Sequence, residues 1–447
     1  MGIYKQYHQK LISAHQAVDK VKSGDWVGYG HMLTAPVFID QALADKVGTL
    51  ENVKIRCSGF PGFSSVVTTD PEQNSFIYNS AFLTMADRAI NQNGSVSYIP
   101  SLYHELPGFS RRHYSFDICF IRTSLMDDHG YFNFGICNDC TRSVIEASKI
   151  VVLEINSNIP VCLGGNCESV HLSEVDFVVE SDNEPLLEIP RSEPTDNDFR
   201  IANHILNELV DGACIQLGIG GRPDVLGRMI ADADLKDLGI QTEMMVDAYL
   251  DLIKAGKVTN KKKAIDVGKS TYTFATGSKE LYEFLDKNSS TASYPVSYTN
   301  DPKNIAANDH AVSINSCIAV DLYGQVSSES VGPRQISGTG GQFDFHFGAY
   351  HSKGGNAYLC LNSTRADKCG TVSSNIMPFF TRGTIVTVPR TVTHKIVTEF
   401  GVASLKGKST WERAEALIEV AHPDFQDELV KSAEELGVWK SMRRLAN

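Results

Sequence analysis

Between Ile215 and Asp247 the chain reads IQLGIGGRPDVLGRMIADADLKDLGIQTEMMVD, an apolar run, a glycine cluster, a helical stretch and a second short apolar run. Ile215 to Leu217 reads as a strand and Gly218-Ile219-Gly220-Gly221 as a tight turn. Pro223 suits the first turn of a helix over Asp224 to Ala233. Such a joint points free backbone N–H groups, reinforced by the helix dipole, at a negative ligand. Glu243 follows the next apolar piece, Leu238 to Ile240, and precedes a helix carried by Met245, Tyr249, Leu250 and Ile253. The order predicts this carboxylate at the C-terminal end of a strand beside the glycine loop, where open α/β sheets bind ligands. Taken singly, each piece also fits an ordinary strand-to-helix joint and a helix-capping glutamate.

The chain echoes itself. Ser23-Gly24-Asp25-Trp26-Val27-Gly28-Tyr29-Gly30 parallels Asp211-Gly212-Ala213-Cys214-Ile215-Gln216-Leu217-Gly218, each after an amphipathic helix and before a proline, Pro36 or Pro223. Asp127-Asp128-His129-Gly130-Tyr131-Phe132 returns as Asp321-Leu322-Tyr323-Gly324-Gln325-Val326. The offsets, 23 to 211 and 127 to 321, are 188 and 194 residues. A repeat of that length predicts two similar α/β domains rather than a solenoid. The polar, proline-bearing stretch from Glu188 to Asn197, ahead of a helix over Asp198 to Leu209, is the expected joint, giving domains at 1–190 and 195–447. Strands expected at Val53 to Arg56, Ile118 to Arg122, Ile150 to Ile155 and Ile385 to Val388 alternate with helices, which implies mainly parallel sheets. The ligand site is then expected in the cleft between the two domains.

A chain of 447 residues with 42% hydrophobic and 21% charged residues is ordinary for a globular protein. Its formal net charge of −12 argues against a nucleic-acid partner. The densest basic run, Lys261-Lys262-Lys263, reads as a solvated turn. The opening helical stretch has no apolar core like that of a signal peptide, and apolar runs such as Ile150 to Leu153 are far shorter than the roughly 20 residues that span a bilayer. A soluble, cytoplasmic protein without membrane partners is expected. The ten cysteines lack the density of a disulfide scaffold, as befits a reducing compartment. Cys137 and Cys140 alone have metal-like spacing, with no second pair to complete a zinc site. They read as buried thiols, and no metal is expected.

The stretch from Ile314 to Phe345, with Glu329 and the cluster Gly338-Thr339-Gly340-Gly341, is too rich in glycine and small polar residues for a helix. It reads as a loop that lets backbone approach a ligand, or as a surface Ω-loop. Phe343 and Phe345, flanking Asp344, point to anchorage. His31, His104, His129, His394 and His422 show no motif spacing to a carboxylate or serine and read as packing or surface histidines. No G-x-S-x-G, Walker A or H-E-x-x-H motif occurs, and Pro223 occupies the third glycine position of a dinucleotide fingerprint, which disfavours a nicotinamide enzyme.

On QLGIGGRPDVL, GIQTEMMVD, SINSCIAVDLYGQVSSES, QISGTGGQFDF, VTEFGVASLKGKSTWERAEALIEVAHPDF, MDDHGYFNFG and LEINSNIPVCLGG, the chain resembles the acetyl-CoA hydrolase/transferase family. Within it the butyryl-CoA:acetate and 4-hydroxybutyrate CoA-transferases are most similar. The resemblance covers nearly the whole chain and implies two open α/β CoA-transferase domains arisen by tandem duplication. It implies Glu243 as nucleophile and Gly218, Ile219, Gly220, Gly221 and Arg222 as a coenzyme A loop. Gly338, Gly340 and Gly341 belong to the same implied site, with Asn300 near the acyl group and Lys368 near coenzyme A. Gln241, Arg222 and Asn375 depart from the family pattern, where His, an apolar residue and Arg are common.

The activity so implied is transfer of CoA from a short-chain acyl-CoA, butyryl-CoA first, to acetate through a glutamyl-CoA thioester. Coenzyme A is then substrate and covalent intermediate, with no tightly bound cofactor, and the protein is expected to be a homodimer or a tetramer. An acyl-CoA hydrolase, a 4-hydroxybutyrate or propionate CoA-transferase and a non-catalytic CoA-binding protein are the alternatives. Leu33, Phe60, Phe63 and Tyr78 are candidates for the acyl pocket, or ordinary core.

Overall fold

The computed structural model describes residues 2–91, 94–191, 193–218 and 221–440. The chain divides into two compact units. The first comprises Met1–Pro190, Thr242–Val246 and Lys269–Asp301, and the second Arg191–Gln241, Asp247–Gly268 and Pro302–Asn447. A single boundary near residue 190 therefore leaves out two excursions of the later chain, 242–246 and 269–301, that pack with the first unit. Pairing between Met244–Met245 and Phe274–Ala275, and between Ser270–Tyr272 and Thr291–Ser293, joins these excursions into ladders.

The first unit is built on a seven-stranded sheet, wholly parallel. From edge to edge its strands are Ser97–Tyr98, Phe76–Ser80, Val53–Cys57, Trp26–Tyr29, Ile118–Thr123, Val151–Ile155 and Phe177–Glu180. Ile118–Thr123 and Val151–Ile155 are buried at every position, the mark of parallel strands covered on both faces. In the second unit the order is Gly239–Ile240, Cys214–Leu217, Ala311–Ser316, Asn356–Cys360, Lys395–Thr398 and Gly401–Ser404, parallel except for the last pair. Trp26–Tyr29 and Cys214–Leu217, the two strands of the sequence echo, take corresponding places, each between the next strand in sequence and a later one.

The second echo is a shared turn. Asp127 Oδ1 accepts the backbone N–H groups of His129 and Tyr131 at 2.9 and 2.8 Å, and Asp321 Oδ1 those of Tyr323 and Gln325 at 3.1 and 2.9 Å. Gly130 and Gly324 close these turns at φ 89° and 84°, where a side chain is strained.

Several expected elements differ in detail. The opening helix is two, Ile3–Lys10 and Ala14–Val18, because Ser13 and Gln16 form a capping box that starts the second. Helices occupy Asp196–Leu206 and Gly221–Asp232. Ile385 to Val388 is no strand. Val388 makes one bridge to Val326, Pro389 follows, and Ile385 and Val386 face solvent. Gln342–His351 is a helix, with Gly341 at its N-cap and Phe345 buried beneath it, so the glycine-rich loop ends at residue 341. Among the described residues no helix is long and apolar enough to cross a membrane.

Candidate active site

Glu243 occupies the bend before the short strand Met244–Met245. Its backbone carbonyl accepts two N–H groups, from Thr273 at 3.0 Å and Phe274 at 3.2 Å, and the N–H of Thr242 binds the Thr271 carbonyl at 2.9 Å. The Thr242 hydroxyl donates to the Met244 carbonyl at 3.0 Å, tying the bend across itself. Met244 packs with Tyr103, Phe274 and Val296 in one apolar cluster. The side chain, partly buried, thus projects from a backbone that packing and hydrogen bonds hold in place.

Asn300 ends the helical turn Val296–Thr299 and is wholly buried. Its N–H closes the turn on the Val296 carbonyl at 3.0 Å. Thr299 Oγ1 donates to Asn300 Oδ1 at 3.1 Å, which occupies the amide oxygen and leaves the NH₂ to donate to Glu243 Oε2 at 2.7 Å. An amide orients a carboxylate without bringing an opposing charge. Tyr103 lies in the same neighbourhood. Burial first, then the charges of Asp139, Cys137, Glu243 and Cys140, hold its phenol well above the ordinary tyrosine range, so it remains a neutral hydroxyl.

In the second unit, both glycine segments meet the carboxyl ends of parallel strands. Gly218 follows Leu217 and donates its N–H to the Ile314 carbonyl at 2.8 Å. Beside it Gln216, Ser313 and Asn315 form a closed amide and hydroxyl network, with Gln216 Nε2 donating to Asn315 Oδ1 at 3.1 Å and Asn315 Nδ2 to Gln216 Oε1 at 3.0 Å. Gly221 and Arg222 open the helix Gly221–Asp232, whereas Ile219 and Gly220 lie outside the described residues. The segment with Gly338 and Gly340 is organised by Glu329, whose carbonyl accepts from Ile336 and Ser337 and whose carboxylate accepts from Gln335 at 2.9 Å. Gln342, just after Gly341, donates to the carbonyl of Ser316, the last residue of the strand Ala311–Ser316, at 2.6 Å.

Lys368 is exposed, in a turn joining Thr364–Ala366 to Val372–Ser374. Asp367 shapes this turn by accepting from Cys369 and Thr371, a third use of the Asp127 and Asp321 pattern. Asn375 accepts from Arg365 at 3.0 Å and donates to the Asn362 carbonyl at 2.9 Å. Gln241 accepts from Asn308 Nδ2 at 2.6 Å. Phe60 and Tyr78 belong to the first unit's core, Leu33 is buried and Phe63 is exposed.

Two sequence readings need correction. Lys263 is not a solvated residue of a basic turn. It is buried, and its ammonium donates to the Ile240 carbonyl at 2.9 Å, with burial lowering its pKa. His31 is not an isolated packing histidine, because its Nδ1 lies 2.9 Å from Asp139 Oδ2. With the partners 108 positions apart in sequence, no local spacing announces the pair.

Two α/β units on parallel sheets, one with a carboxylate held by an amide donor and the other with glycine segments at strand ends, define the class as an α/β enzyme. The chain belongs to the acetyl-CoA hydrolase/transferase family, residues 1–190 matching its N-terminal domain and 277–433 its C-terminal domain. It is 49% identical, over 99% of both chains, to a probable butyrate:acetyl-CoA coenzyme A-transferase of Syntrophomonas wolfei. It is 45% identical, over 98% of this chain and 99% of the other, to the butyryl-CoA:acetate CoA-transferase of Anaerostipes caccae. Among solved structures, RipA from Yersinia pestis superposes with a TM-score of 0.90 at 37% identity, covering 98% of this chain and 100% of that one. A 4-hydroxybutyrate CoA-transferase from Porphyromonas gingivalis gives 0.79 at 33%, covering 97% and 99%.

Proposed function

We propose that this protein is a CoA-transferase that moves coenzyme A from a short-chain acyl-CoA, butyryl-CoA foremost, to acetate, with Glu243 as the nucleophile. The 2.7 Å hydrogen bond from Asn300 to Glu243 Oε2 carries the reading, since it orients the carboxylate for attack. The relatives that are 45% and 49% identical support the substrate class.

A Glu243 oxygen attacks the thioester carbonyl carbon, the C–S bond breaks and CoA leaves as thiolate, giving an acyl-glutamyl anhydride. The thiolate then attacks the glutamyl carbonyl. Its C–O bond breaks, butyrate departs and a glutamyl-CoA thioester remains. Acetate runs the same steps in reverse to release acetyl-CoA, so the kinetics are ping-pong. Each attack passes through an oxyanion, and removing one donor to such an atom costs about 3 to 4 kcal/mol in other enzymes. Asn300 Nδ2 suits the glutamyl oxygen.

The test is peptide mass spectrometry after mixing with butyryl-CoA in the absence of acetate. A borohydride-sensitive, CoA-sized adduct on the peptide carrying Glu243 is expected, and absent from Glu243→Ala. Steady CoA release with no adduct would assign the protein to hydrolysis. Full turnover by Glu243→Ala would remove Glu243 from the chemistry.

A further inference from the structure

Away from the glutamate's own contacts, among the described residues His31, Asp139 and Cys140 bring three metal-ligating side chains together in the first unit. Their ligand atoms all lie within 4.8 Å of one another. His31 Nδ1 is 2.9 Å from Asp139 Oδ2 and 2.8 Å from Cys140 Sγ, and His31 Nε2 is 3.6 Å from the same sulfur. All three are nearly inaccessible, at 9%, 0% and 2% exposure. A nitrogen that carries one proton can satisfy only one of two neighbours at such distances. Three lone-pair donors converging on one point is the arrangement a cation resolves.

A second observation points the same way. Asp139 Oδ1 is buried with no hydrogen-bond partner, and among the described residues no lysine or arginine pairs with this carboxylate. A buried carboxylate left so is costly unless positive charge compensates it. The Tyr103 hydroxyl, in the same apolar cluster as Cys140, is likewise buried and unpartnered.

We propose that His31, Asp139 and Cys140 bind one divalent transition-metal ion of the zinc type. Nitrogen, oxygen and sulfur donors together are the set such an ion accepts. Binding breaks the Cys140 S–H bond, forms a metal–sulfur bond and releases the proton to solvent. Thiolate, carboxylate and neutral imidazole then balance a dipositive ion, so the buried cluster carries no net charge.

The site is independent of the Glu243 reading, and its test does not use turnover. Tag-free protein is incubated with excess zinc, desalted, and its zinc counted by mass spectrometry. In parallel, cobalt(II) is added and the near-ultraviolet thiolate-to-cobalt band recorded. One zinc per chain and the cobalt band are expected for the wild type and for Cys137→Ser, with both lost in Cys140→Ser and zinc lost in His31→Gln. A wild type that retains no zinc and shows no band overturns the proposal, as does a Cys140→Ser protein that keeps both. Should Cys140→Ser fail to fold, wild-type stoichiometry and the folded His31→Gln protein decide.

Discussion

Asn300 donates its side-chain amide to Glu243 Oε2 at 2.7 Å, across 57 residues of sequence. Because Thr299 already occupies the Asn300 oxygen, the amide has one orientation, and it is the donating one. Asn300→Ala is therefore expected to lower kcat by roughly 100-fold, the usual effect of deleting one such donor, while CoA affinity changes little. Steady-state kinetics with butyryl-CoA and acetate check this. An unchanged kcat would mean that the bond holds the loop and not the reacting group.

Glu154 is fully buried in the first unit's sheet, where it accepts the Ile39 N–H at 2.8 Å. Burial lifts its pKa from 4.5 to about 8 in spite of Arg122. An acid whose pKa is raised on folding contributes stability that is complete below 4.5 and lost as pH rises through 8. The loss runs at about 1.4 kcal/mol per pH unit in between. Glu154→Gln should flatten urea stability between pH 5 and 8. If variant and wild type keep the same slope, the carboxyl is not protonated in the folded chain.

His346 has the opposite sign. It is fully buried, its Nε2 accepts the His394 N–H at 2.9 Å, and burial lowers its pKa from 6.5 to about 3. Stability from keeping it neutral is complete above 6.5 and lost as pH falls toward 3. His346→Gln should unfold less steeply with acid, as read by circular dichroism from pH 7 to 4. An acid limb as steep as the parent's would place the sensitivity elsewhere.

The two glycines matched by the repeat, Gly30 and Gly218, should not tolerate alanine equally. A Cβ at Gly30 would stand 2.1 Å from the Thr34 carbonyl oxygen and 2.6 Å from its carbon, both backbone atoms. At Gly218 the nearest atoms are Asn315 Oδ1 at 3.2 Å and the Ile314 carbonyl oxygen at 3.3 Å. Gly30→Ala is expected to cost about 2 to 3 kcal/mol and Gly218→Ala less than about 1 kcal/mol. Denaturant midpoints rank the two, and equal losses would contradict the close approach at Thr34.

What the amino-acid order alone determined is what local chemistry can specify. The strand Cys214–Leu217 and the helix Gly221–Asp232 were legible because apolar runs, glycines and a proline act within a few residues. So were the turns at Asp127 and Asp321, in which a carboxylate binds amides two and four residues ahead. The repeat of these pieces was enough to predict two α/β units and parallel sheets. Composition misled where a segment's fate depends on its neighbours: glycines hid the helix at Gln342, and a basic run hid the buried ammonium of Lys263. Tertiary structure alone decided that residues 242–246 and 269–301 pack with the first unit, which is what brings Asn300 to Glu243. It alone brought His31 to Asp139 and Cys140. In a parallel sheet, neighbouring strands are separated by whole crossovers, so these partners meet only after the sheets have assembled, and no window of local sequence contains both.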